Sequence, residues 1–109
     1  MLSGKQKRYL RGLGHSLNPV VTVGKEGVSE PLERKTAVEL EGHELIKVRV
    51  LDTCEAPARD VGPALAERTA SELVQVLGHT LLLYKRRKKD PTIKLPKADP
   101  VVPPPATGV

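Results

Sequence analysis

Pro19-Val20-Val21-Thr22-Val23-Gly24-Lys25-Glu26-Gly27 reads as a short strand, Val20 to Val23, running into a Gly-x-x-Gly turn. A helix start follows at once, with Ser29 as N-cap and Pro31 in the first turn. Strand, glycine turn and helix N-terminus form a geometry suited to phosphate. Two glycines let another backbone pass close by, and the helix start turns free N–H groups and partial positive charge outward. Lys25 adds a full charge at the tip, with Glu26 beside it. Nine glycines in 109 residues also make such a spacing common in plain turns.

Upstream, Ser3 and Gln6 fit a capping box, so a first helix is expected from about Gly4 to Leu13, closed by Gly14. Leu2, Tyr9, Leu10 and Leu13 fall on one arc of it. Lys7, Arg8 and Arg11 lie opposite, with Lys5 at the edge. One face packs, and the other carries only positive charge.

Downstream, a second helix is expected over about Glu30 to Glu41, with Leu32, Thr36, Ala37 and Leu40 inward and Gly42 as its C-terminal cap. His43 to Leu51 reads as the next strand. Glu39, Glu41, Glu44, Lys47, Arg49 and Asp52 read as a solvated edge without function. A third helix lies between Ala56 and Ser71, interrupted by Gly62-Pro63. Asp60 is its expected N-cap, with Val61, Leu65 and Thr69 inward. Leu73 to Leu77 and Thr80 to Lys85 are two strands joined by a Gly78-His79 hairpin turn. Leu81-Leu82-Leu83 predicts a central strand.

The element order is therefore αβαβαββ: one α/β domain with a four-stranded mixed sheet packed against helices. The β–helix–β crossovers are expected to be right-handed, with both of their helices on one face. From about Asp90 the chain reads as a mobile tail, in which Thr92–Pro96 is able to dock as a short extended piece. The domain is placed at 1–96, with its core at about 2–86 and a Pro-rich tail over 97–109.

Charge is unevenly distributed. Residues 1–25 carry five basic groups and no acid, 26–72 carry eleven acids against six bases, and 73–109 carry seven bases against two acids. Lys85-Arg86-Arg87-Lys88-Lys89 is the densest run. If the fold joins the two basic ends, they form a positive face with an acidic back, and a polyanionic partner is implied. Only Tyr9 and Tyr84 are aromatic, which argues against modules that stack bases on a sheet face.

Other chemistry lacks its motifs. Gly24-Lys25 is followed by Glu26, so a Walker loop fails, and Gly12-x-Gly14 does not continue as a dinucleotide fingerprint. His15, His43, His79 and Cys54 lack metal-ligand spacing, and no acidic pair is assignable to catalysis. No enzyme, cofactor, metal or small-molecule substrate is expected. One cysteine rules out an intrachain disulfide, and no apolar run or leader is visible, so a cytoplasmic monomer without a membrane partner is expected.

Three blocks in order resemble one known family. They are His15-Ser16-Leu17-Asn18-Pro19-Val20-Val21 leading to Gly24-Lys25-Glu26-Gly27, then His43-Glu44-Leu45-Ile46-Lys47-Val48, then Gly78-His79-Thr80-Leu81-Leu82-Leu83-Tyr84. They look like the signature blocks of the CRM domain, in its stand-alone bacterial, YhbY-like form. The resemblance covers about 2–96 and includes an Ile-x-Leu-Pro ending at Ile93 to Pro96. It implies a fold similar to the C-terminal domain of translation initiation factor three. It also implies RNA binding through Gly24, Lys25, Glu26 and Gly27 and the adjacent basic surface, and association with precursors of the large ribosomal subunit.

Lys5, Lys7, Arg8 and Arg11 match the family's basic N-terminal surface, and Lys85, Arg86 and Arg87 are expected to hold flanking phosphates. Asn18 stands where many members have lysine, Glu26 puts a negative charge in the loop, and Gly62-Pro63 is atypical. A translation factor on the small subunit, and a protein-interaction module binding a basic ribosomal protein, are the alternatives.

Overall fold

A computed structural model describes residues 2–96, so the tail expected over 97–109 lies outside the described residues. The elements are α1 (Gly4–Gly14), β1 (Pro19–Val23), α2 (Glu30–His43), β2 (Leu45–Val50), α3 (Ala58–Thr69), β3 (Glu72–Leu77) and β4 (Thr80–Tyr84). The strands form one mixed sheet in the order β1-β2-β4-β3, with β1 and β2 parallel and both other pairs antiparallel. The expected αβαβαββ order and mixed sheet are those observed, with Leu81–Leu83 in an interior strand.

Side-chain alternation splits the core into two layers. Val21, Val23, Ile46, Val48, Val50, Leu81 and Leu83 pack against Leu40 of α2 and Val61 and Leu65 of α3. On the other face, Leu45, Val74, Leu82 and Tyr84 pack against Leu10 of α1, with Leu2, Leu17, Ile93 and Leu95 around them. The helices of the two crossovers thus share one face of the sheet. The basic helix covers the other, together with the segment 91–96.

The Ser3–Gln6 capping box forms as expected. The packed stripe of α1 is narrower than the apolar arc suggested. Leu10 and Gly14 are buried, whereas Tyr9 and Leu13 remain 42% and 39% exposed. Gly14 sets this geometry: a Cβ there would stand 2.6 Å from a Leu82 methyl, so the helix rests directly on β4. Tyr9 and Leu13 flank that contact line. Gly14→Ala is expected to destabilise the fold by about 1–3 kcal/mol, read in urea unfolding, because helix and strand must separate or Leu82 must leave its rotamer.

Several boundaries differ from expectation. Helix α2 runs through Gly42 to His43 and is closed by Glu44 at φ 63°, whose N–H donates to the Leu40 carbonyl. Strand β2 therefore begins at Leu45. Ala37, expected inward, is exposed. Helix α3 begins at Ala58 after Pro57 as N-cap, with Asp60 inside its first turn and Pro63 within the helix. Starting early buries Ala58, and Gly62 lies close beneath Leu73 and Leu81. Val61, Leu65 and Thr69 are buried as expected.

The largest departure is Glu44. Expected on a solvated edge, it is fully buried. One of its carboxylate oxygens accepts from the Thr92 N–H (2.6 Å), the Thr92 hydroxyl (2.8 Å) and the Ile93 N–H (2.9 Å). The other accepts from the Arg87 N–H (2.9 Å). Burial pushes the carboxyl pKa up, but these hydrogen bonds from Arg87, Ile93 and Thr92 outweigh it and hold the group at about 2. The residues expected as a tail from Asp90 are thereby latched through 96. Ile93 and Leu95 enter the second core layer, and the Gln6 amide donates to the Pro96 carbonyl. The start of α1 and the segment 91–96 are thereby tied at one helix cap, because Gln6 also accepts from the Ser3 N–H.

Candidate nucleic-acid interface

The Gly-x-x-Gly turn stands at the C-terminal end of β1. The Gly27 N–H donates to the Gly24 carbonyl (3.0 Å), and Lys25 and Glu26 are exposed at the tip. Gly27 has φ 65°, a conformation that favours glycine. Gly24 has no such requirement, and a Cβ there would meet only Leu51 at an ordinary 3.9 Å. The fold itself tolerates a side chain at 24. Ser29 caps α2 directly behind the turn. Of the acids in that first helical turn, Glu30 is paired with Arg34 and Glu33 with Arg68.

Strand alternation extends the positive surface beyond the residues expected from sequence. On the face covered by α1, Lys47 of β2, Leu82 of β4 and Gln75 of β3 form one cross-strand row. Thr22, Arg49, Thr80 and Leu77 form the next row, nearer the turn. Helix α1 ends over the first row and leaves the second uncovered. Lys47 and Arg49, expected on a functionless edge, therefore lie on the same side as Arg11 and next to the strand that carries Lys25. Among the described residues, Lys5, Lys7, Arg8, Arg11, Lys25, Lys47 and Arg49 form no ion pair. Period-two alternation already placed Lys47 and Arg49 together. Only the strand pairing shows which helix shares their face.

On the opposite side the helices carry Glu30, Glu33, Glu39, Glu41, Asp60 and Glu67, mixed with Arg34, Lys35, Arg59 and Arg68. Several of these are paired with one another. The helical side thus carries most of the acids, while Glu26 at the turn and Glu72, which pairs with Tyr84 on the face of α1, lie on the basic side.

The Lys85–Lys89 run lies apart from the glycine turn. It begins where β4 meets Leu45, at the end of the sheet away from the glycine turn. The six residues of β2 separate the two by about 17 Å. Two of its cations act in the fold. Lys85 donates to the Thr69 carbonyl at the end of α3 (3.0 Å). The Arg87 guanidinium donates to carbonyls of Asp90 (2.8 Å), Gly42 and Glu41, the last two at the end of α2. Cations at helix C-termini offset the dipole and orphan carbonyls there. Arg86, Lys88 and Lys89 remain exposed, around a groove of about 390 Å³ floored by Ala37 and Leu40.

Among the described residues, no group of three or more His, Cys, Asp or Glu side chains is placed to hold a metal. Cys54 is buried in the larger core layer. His79 lies 3.8 Å from Asp52, with both groups mostly in solvent. Among the described residues, no helix is long and apolar enough to cross a membrane.

Comparison with known proteins agrees with this geometry. The chain is 48% identical over 96 residues to the Probable RNA-binding protein YqeI of Bacillus subtilis, covering 88% of this chain and all of that one. It is 40% identical over 96 residues to an RNA-binding protein of Haemophilus influenzae, covering 88% and 96% of the two. The solution structure of SAV1595 from Staphylococcus aureus superposes with a TM-score of 0.76 at 43% identity, over 88% of this chain and the whole of that one. Residues 2–85 match the model of the CRS1 / YhbY (CRM) domain, and the chain belongs to that family.

Proposed function

We propose that this protein binds RNA through the Gly24–Gly27 turn and the basic side of α1 and β2, without catalysis, and assists assembly of the large ribosomal subunit in the cytoplasm. One observation carries the binding: a run of cations from Lys25 across Arg49, Lys47 and Arg11 to Arg8 and Lys5 that form no ion pair among the described residues, with most of the acids on the opposite side. Close-spaced phosphates are the partner that such a surface fits. Two relatives named as RNA-binding support the same class of ligand.

In this reading Gly24 and Gly27 let the turn backbone meet a phosphate or sugar edge, and Lys25 adds charge there. The flanking cations hold neighbouring phosphates. With about five phosphates neutralised on single-stranded RNA, log affinity falls against log salt with a slope near −3.5.

Gly27→Asp is expected to weaken RNA binding by at least about tenfold in a filter-binding assay, since it brings a negative charge to the contact. A Cβ at 27 meets no atom within 4 Å, so the fold tolerates the residue at the cost of a strained φ. Unchanged affinity in the folded variant would remove the turn from the site. Gradient sedimentation of the tagged protein, with RNA sequenced from each fraction, tests the assembly role. Peaks with immature large-subunit RNA support it, and small-subunit fractions point to a translation factor instead. Complexes that survive ribonuclease indicate a protein partner.

A further inference from the structure

Between the last turn of α1 and the uncovered part of the sheet lies a groove of about 260 Å³, lined on its polar side by Arg11, His15, Lys47 and Gln75. Its floor is apolar, made by Leu82, with the exposed Leu77 at one edge. Three features suit it to a small planar ligand.

Gly12 lines the groove in the last turn of α1. A Cβ at 12 would meet nothing within 4 Å, so packing does not demand the glycine, in contrast to Gly14. Its missing side chain keeps the wall of the groove low. The register of β3 against β4 slips between Leu73 and Gln75. Val74 therefore enters the core, and the next residue, Gln75, pairs with Leu82 in the row that faces α1. Such irregularities re-aim side chains beside functional sites. Lys47 is half-buried, and among the described residues its ammonium has no carboxylate within ion-pair distance.

We propose that this groove takes one unpaired nucleobase of the bound RNA, an inference that rests on the RNA-binding reading above. The volume lies below the ~300–1,000 Å³ of clefts that enclose a drug-sized ligand, so it suits one heterocycle rather than a longer segment. Unstacked bases in single-stranded RNA are read through their polar edges and by stacking on planar groups, guanidinium included. Arg11 and His15 supply planar groups in a chain with few aromatics. The Gln75 amide offers a donor and an acceptor to the base edge, and Lys47 meets a base carbonyl or the adjoining phosphate. Leu82 and Leu77 cover the apolar face. The groove gives the protein a means of distinguishing unpaired from paired RNA, which charge alone does not supply.

Fluorescence anisotropy with short RNA homopolymers of A, C or U, and with a ribose–phosphate strand lacking bases, tests this. The wild-type protein is expected to bind at least one base-bearing strand about tenfold more tightly than the abasic strand. Gly12→Leu fills the groove with a good helix former, and Gln75→Ala removes the edge reader. Each is expected to reduce that preference to the abasic level while the salt dependence stays unchanged. Circular dichroism confirms that the variants are folded. Equal wild-type binding of abasic and base-bearing strands, or a preference that survives both substitutions, overturns the groove but leaves RNA binding standing. Absence of binding to every strand, the abasic one included, overturns both.

Discussion

Glu44→Gln loosens the segment 91–96 and lowers stability at neutral pH by roughly 3 kcal/mol, the largest single-residue effect expected in this protein. The carboxylate is fully buried and accepts four hydrogen bonds from Arg87, Thr92 and Ile93. Glutamine is nearly the same size, but its amide nitrogen donates. One of the N–H groups now facing an oxygen would face another donor and remain buried without a partner. The effect depends on pH in a defined direction. Folding lowers this group's pKa from its ordinary 4.5 to about 2. Its contribution is complete above pH 4.5 and is lost as pH falls through 2.

The gap between wild type and Glu44→Gln in urea midpoints is therefore widest at neutral pH and closes toward pH 2. A gap independent of pH would show that shape, and not charge, holds the latch. Because 91–96 packs under α1 and meets Gln6, the variant is also expected to weaken RNA binding by releasing the basic helix.

Replacing Arg11, Lys25, Lys47 and Arg49 together by glutamine produces the largest expected loss of RNA affinity, on the order of a hundredfold at physiological salt. Each lost phosphate contact flattens the log–log salt slope by about 0.7, so the four together flatten it by about 2.8. Glutamine keeps part of each aliphatic stem, and none of the four forms an ion pair among the described residues, so the melting temperature is expected to change little. The matched control converts Arg34, Lys35, Arg59 and Arg68 on the helical back to glutamine, with the same change in net charge. An equal loss in that control would mean that total charge, and not this face, governs binding.

The two variants separate two uses of charge in the same chain. At Glu44 a charge is buried and saturated with donors, and it organises backbone. On α1 and β2 the charges are exposed or half-buried and form no ion pair among the described residues. The Lys85–Lys89 run contains both kinds, since Lys85 and Arg87 close helices while Arg86, Lys88 and Lys89 face solvent.

Much of this was legible in the chain itself. Alternation in Leu45–Val50, the capping box of Ser3 and Gln6, and the Gly78 turn are local signals, read within a few residues. They determined every element of the fold and its order, and the spacing of Gly24 and Gly27 marked the turn. What the chain alone left open depends on which distant residues meet. Glu44 looked like one more surface acid because its four donors arrive from 43 to 49 positions later. Lys47 and Arg49 joined the basic side only once the pairing of β2 with β1 and β4 placed them on the face that α1 partly covers. The end of α2 ran past Gly42 because the tertiary contacts of Glu44 hold a positive φ that local propensity assigns to glycine. Local periodicity decides what each segment becomes. Burial, and the partners that burial brings, decide what each charge is for.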